Sequence, residues 1–198
     1  MGLRETKARR TRRHVVRVAL ELFIEQGFEQ TTMEEIAERA EIGTSTLYRY
    51  FPSKDLLILD PLLVFTELGE HLRERPATEP LRVALGNAIR ASLSGFADSG
   101  VTVEVRRIVD ESASPRAKLW DYMAQSRKDL EEAIAARHDS PAPGIAIALT
   151  ANMAFGVFEL LAESWWAGDH ARPISEVVDE MLAQVQGASI VMPGIDPA

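Results

Sequence analysis

Residues 31–54, TTMEEIAERAEIGTSTLYRYFPSK, constrain the fold more than any other stretch of this chain. Thr32 and Glu35 spell a T-x-x-E capping box: the threonine hydroxyl accepts the N–H three residues on, and the glutamate reaches back to the Thr32 amide. Met33, Ile36, Ala37 and Ala40 follow at helical spacing, so a short helix buries one face and turns Glu34, Glu38 and Arg39 to water. Glu41-Ile42-Gly43 makes a tight turn. A second short helix then runs to about Phe51, because Pro52 disfavours helical geometry at the residue before it. Leu47 and Phe51, four residues apart, point to the core with Ile42. Thr44, Ser45, Thr46, Tyr48, Arg49 and Tyr50 are left outside it. Ser53 caps a further helix and places Lys54 in its first turn, where a cation is mildly unfavourable unless a phosphate lies beside it.

A longer helix precedes this hairpin. Residues 6–26 carry Val16, Ala19, Leu20 and Phe23 as an apolar stripe and end at Gly27, a C-cap, with Phe28 tucked underneath. Three helices with the third exposed is the docking plan of helix–turn–helix proteins, whose second hairpin helix lies in the major groove. The patterns A-L-x-L-F-x-x-x-G-F, T-T-x-x-x-I-A-x-x-A and T-L-Y-x-Y-F-x-S-K, across residues 12–56, resemble the DNA-binding region of TetR-family transcriptional regulators. The resemblance implies an all-helical homodimer that represses transcription and leaves its operator when a small molecule binds. Carried over by position, Thr44, Ser45 and Tyr48 would meet base edges or nearby sugar-phosphate, with Arg49 on the same exposed surface. Thr32, Thr46, Tyr50 and Lys54 would mainly fix the backbone. Two positions depart from the pattern. Glu41 stands where the family usually has glycine, and Gly43 where it has a Ser-like cap. A glutamate in the left-handed region costs about 1 kcal/mol, or the turn relaxes to avoid it.

Charge supports the same reading. The chain has 22 basic and 30 acidic residues, which by itself argues against a nucleic-acid partner. Residues 1–17, however, hold seven bases against one acid, while residues 55–198 hold 12 bases and 22 acids. Such segregation gives DNA one attractive face and a body that it repels. Arg10, Arg12 and Arg13 are the candidate phosphate contacts, and each neutralised phosphate would steepen the salt dependence.

Beyond Lys54 the chain reads as helices punctuated by Pro and Gly. We expect helices over 53–75, kinked by Pro61 near Leu57, then 79–96, 101–111, 114–137, 140–168 and 173–186, with a frayed tail. The fold class is therefore all-α, with about nine helices. A helix–turn–helix domain over 1–55 precedes a larger ligand-binding and dimerisation domain over 56–198. Ser140–Phe158 is uncharged over 19 residues, near the length of a spanning helix, but its two prolines, Thr150 and Asn152 fit a buried helix better. No membrane association is expected, and with Cys absent and no apolar leader the cytoplasm is the expected compartment.

The resemblance implies dimerisation through the last two helices, and the small and bulky residues of 140–168 with the broad apolar stripe of 173–186 suit it. It also implies an effector pocket in the body. Candidate lining residues are Phe65, Trp120, Met123, Met153, Phe155 and Phe158, which would favour a largely apolar ligand. His14, His71, His138 and His170 are scattered, and no nucleophile elbow or phosphate loop appears, so no catalysis, metal or cofactor is expected. An activator of the same fold, or a helical ligand-binding or interaction protein with a vestigial reading head, is the alternative.

Overall fold

The computed structural model describes residues 3–94, 99–137, 144–168 and 172–187, and these are helical with no strand among them. The elements are α1 (Leu3–Gln26), α2 (Met33–Arg39), α3 (Thr44–Tyr50), α4 (Lys54–Leu59), a 3-10 helix (Asp60–Thr66), α5 (Leu68–Arg73), α6 (Leu81–Ser94), α7 (Ser99–Glu111), α8 (Ala113–Arg137), α9 (Ile145–Ala167) and α10 (Ile174–Gly187). Taking α4, the 3-10 helix and α5 as one interrupted rod gives nine helices among the described residues. The ends expected at 95–96 and 140–143 and the tail beyond 187 lie outside those residues.

Local chemistry sets the N-terminal boundaries. α1 stops at Gly27, whose φ of +92° reverses the chain and whose N–H still reaches the Phe23 carbonyl at 3.0 Å. Phe28 then folds beneath Phe23, with ring centres 5.0 Å apart. The Thr32–Glu35 capping box forms as expected, and Ser53 caps α4 by accepting the Leu56 N–H. The predicted single helix over 53–75 is a correction. Pro61 has no N–H to continue the ladder, and the α-helix ends at Leu59, capped by Asp60 just before the proline, giving way to seven residues of 3-10 helix over Asp60–Thr66.

One continuous core runs through the molecule. At the N-terminal end Val15, Ala19, Phe23, Phe28, Ile36, Leu47 and Phe51 fill the space between α1, α2 and α3. Leu57, Ile58, Leu59 and Leu62 carry it into the body, where Leu68, Leu72, Ala88, Leu130, Ile134, Phe155, Phe158 and Leu161 complete it. α8 is the central post, packed by α4, α5, α7 and α9. Gly69 brings α5 close to it, since a Cβ there would fall 2.1 Å from Asp129 Oδ2. Beside this contact Arg73 makes a forked pair with Asp129, Nη1 to Oδ2 at 3.0 Å and Nη2 to Oδ1 at 2.5 Å. α9 is long and apolar enough by composition to cross a membrane, yet its Ala151, Ala154, Phe155, Phe158, Leu161 and Ala162 are buried against other helices of the chain.

Candidate nucleic-acid interface

The turn between α2 and α3 decides where the exposed helix points. The Ile42 N–H reaches the Ala37 carbonyl and the Glu41 N–H the Glu38 carbonyl, each at 3.0 Å, which is the paired closure of a Schellman motif. Glu41 sits at the left-handed position of that motif with φ +54°. The turn has therefore kept its shape and taken the strain, rather than relaxing around the glutamate. Gly43 serves as an extended N-cap without a side-chain bond, and its carbonyl starts the α3 ladder through the N–H groups of Thr46 and Leu47.

α3 is anchored by fully buried Leu47 and, at its C-cap, Phe51. Thr44, Ser45, Tyr48 and Arg49 are exposed, and Thr46 and Tyr50 are half-buried. Tyr48, 43% exposed, has its hydroxyl 3.5 Å from the Glu34 carboxylate of α2, which gives the phenol a preferred direction. The Arg49 guanidinium lies 5.7 Å from the Tyr50 ring centre. Polar donors and acceptors on a short, rigid, outward-facing helix can read base edges, and a tyrosine hydroxyl suits either a base or a phosphate.

Three expected phosphate contacts have other partners. The Lys54 ammonium donates to the carbonyls of Phe28 at 2.5 Å, Thr31 at 2.9 Å and Glu29 at 3.3 Å, and rests 4.4 Å from the Phe28 ring centre. All three of its protons are thus engaged in holding the α1–α2 loop. Thr32 uses its hydroxyl in the capping box, and its N–H donates to Glu35 Oε2 at 2.8 Å. That bond, with the Thr32 hydroxyl, holds the Glu35 carboxyl below the usual range. Arg12 pairs with Asp60. Arg10 and Arg13, by contrast, are exposed and have no ion-pair or hydrogen-bond partner among the described residues. With Lys7, His14 and Arg17 they line a groove of about 920 Å³ along α1 that reaches Ile42 and Pro61. Asp60, Glu34 and the carbonyls of Phe28, Glu29 and Thr31 are the partners that the sequence did not reveal.

The expected effector-pocket residues do not converge. Phe155 and Phe158 are wholly buried with ring centres 6.0 Å apart, Trp120 is 64% exposed on α8, and Met123 is half-buried against the core. Phe65 is on the 3-10 helix, and its side chain lies outside the described residues. Of the five whose side chains are described, Met153 lines a groove of about 380 Å³ between α6, α9 and α10, walled by Leu81, Leu85, Ile89, Val157 and Leu182.

Comparison with known proteins agrees with this geometry. Residues 15–60 match the profile of bacterial regulatory proteins of the tetR family. The chain is 35% identical over 144 residues to the HTH-type transcriptional regulator TcmR of Streptomyces glaucescens. Residues 15–60 belong to the TetR family. The TcmR match covers 69% of this chain and 64% of that protein, so the chain spans less than two thirds of that relative. Among solved structures, the NalD repressor of the MexAB-OprM multidrug efflux pump in Pseudomonas aeruginosa shares its fold with this chain. Its TM-score is 0.63 at 17% identity, over 92% of this chain and 96% of that one. FadR from Bacillus subtilis, in complex with stearoyl-CoA, superposes with a TM-score of 0.58 at 18% identity, over 87% of this chain and 96% of that one. These proteins are named as regulators of transcription, not as enzymes.

Proposed function

We propose that this protein is a sequence-specific DNA-binding repressor of transcription that leaves a near-palindromic operator when a small, largely apolar effector binds. The observation that carries the reading is α3, held rigidly by Leu47 and Phe51 and by the closed turn at Glu41, with Thr44, Ser45 and Tyr48 facing outward. In this reading residues 1–55 are the reading head and 56–198 the effector-binding and dimerisation body. Thr44, Ser45 and Tyr48 contact base edges or adjacent sugar-phosphate, Arg49, Thr46 and Tyr50 support them, and Arg10 and Arg13 neutralise phosphates. The protein works in the cytoplasm, where its operator is.

The homodimer uses α9 and α10. Ile145, Leu149, Met153 and Leu160 leave α9 with an exposed apolar face, and two heads related by a two-fold axis read two half-sites about one DNA turn apart. The groove at Met153 falls in the size range of small-molecule sites. Release is a population shift: an effector that prefers the conformer with misplaced heads drains the DNA-binding one. The stearoyl chain carried by the FadR neighbour's ligand makes fatty-acyl compounds the first effectors to try.

Fluorescence anisotropy with the protein's own promoter region, over a salt series, tests the reading. Tight binding that falls steeply with salt and is lost in Tyr48→Ala is the expected result. Binding indifferent to Tyr48→Ala would confine DNA contact to the basic arm and overturn the role of α3.

A further inference from the structure

Arg12 stands apart from the other bases of α1. At helical spacing it shares a face with Val15, Val16, Ala19 and Phe23, all buried, whereas Arg10 and Arg13 point to solvent. Its Nε donates to Asp60 Oδ1 at 2.9 Å, and its Nη2 donates to the same oxygen. The guanidinium Cζ lies over the Phe51 ring, 4.7 Å from its centre. Asp60 is a poorly solvated partner, with 19% of its side chain exposed. One side chain therefore joins three places: the long helix of the head, the residue that closes the recognition helix, and the residue at which α4 becomes 3-10 helix.

We infer that Arg12 is a positioning residue for DNA binding, which fixes the recognition helix against the body through Phe51 and Asp60 and makes no phosphate contact. The inference rests on the operator binding proposed above. Swinging the guanidinium out to a phosphate would leave the largely enclosed Asp60 carboxylate unpaired and uncover the Phe51 ring, and an acceptor with little access to water is costly to leave without its donor. Arginine suits the post because its planar fork bonds a carboxylate while its face stacks on an aromatic ring, which a lysine ammonium cannot do together. The sequence carried a signal for this: a base at a stripe position, four residues before Val16, is misplaced for a solvent-facing phosphate contact.

The salt series distinguishes the two roles. Arg10→Gln, which removes a phosphate contact, lowers the slope of log K against log salt by about one. Arg12→Gln and Asp60→Asn are each expected to weaken binding about tenfold while the slope stays that of the wild type. The double variant is expected to be no worse than either single one, because both break the same link. Arg12→Lys keeps the charge and the stem but not the fork, and falls between wild type and Arg12→Gln. A purely stabilising role is separated by operators with one base pair inserted between the half-sites. The wild type rejects them, and Arg12→Gln, its head no longer held at one angle, rejects them less.

A slope lowered by Arg12→Gln as by Arg10→Gln, with Asp60→Asn binding as wild type, would overturn the inference. If circular dichroism shows Arg12→Gln to be unfolded, the Arg12→Lys and Asp60→Asn pair decides, and wild-type binding by both overturns it. A wild-type protein that binds no promoter fragment, or binds it regardless of Tyr48→Ala, fails at the operator reading itself.

Discussion

Glu41 holds a left-handed backbone in the middle of the reading head, and its strain follows from the clash of Cβ with the carbonyl ahead of it. Glycine has no Cβ and adopts the same φ freely. Glu41→Gly is therefore expected to stabilise the protein by about 1 kcal/mol and to raise the melting temperature by about 2–4 °C in a thermal scan. Operator affinity should rise or hold, because the turn already has the shape that glycine would give it. A lower melting temperature would show that the Glu41 side chain makes a contact worth more than the strain. The capping box and the Ser53 cap were legible in the sequence, because each is written within three residues of its partner, whereas at Glu41 the sequence left strain and a relaxed turn open. Lys54 was not. Its acceptors lie 23 to 26 residues earlier, in a loop that only the packing of Phe28 under Phe23 brings to the ammonium.

Among whole elements, α9 shows why some faces could be read and others could not. Its periodic small and large residues identify a packed helix, but Phe155 and Trp120 look equally suited to a pocket until the neighbouring helices are in place. Phe155 then proves to be core and Trp120 surface. The same helix carries Glu159, half-buried, whose carboxyl burial pushes above its ordinary range, opposed by Arg127 and reinforced by Glu163. The sign follows from proton counting. Between the unfolded and the raised folded pKa the native state holds more protons, so stability falls as pH rises through that window. Glu159→Gln lacks the buried charge. It should melt higher than the wild type at neutral pH, with the gap closing below about pH 4, where the unfolded carboxylate is protonated too. Melting curves by circular dichroism across pH check this, and a variant that melts lower than the wild type at neutral pH, with the deficit vanishing in acid, would mean that Arg127 dominates.

For the molecule as a whole, the apolar residues Leu149 and Leu160 are exposed at 43% and 59% on a helix whose other side is core. If α9 faces a second copy, Leu149→Glu with Leu160→Glu should give monomers by light scattering, with unchanged helicity and sharply weaker operator binding, since each head then binds alone. Dimers that survive both changes would move the interface elsewhere. The concentration of positive charge at one end was legible in the sequence, since seven of the chain's 22 bases fall within its first 17 residues. How the ends are coupled was not. Asp60 met Arg12 across 48 residues, and nothing local marks either as the other's partner.

The 3-10 helix between α4 and α5 also fixes a geometry. A 3-10 helix rises about 2.0 Å per residue with three residues per turn, against 1.5 Å and 3.6 for an α-helix. Over the seven residues Asp60–Thr66 the difference amounts to about 3.5 Å of advance and about 140° of rotation. Any partial conversion of this segment moves the two ends of the molecule as a screw, so that separation and azimuth change together.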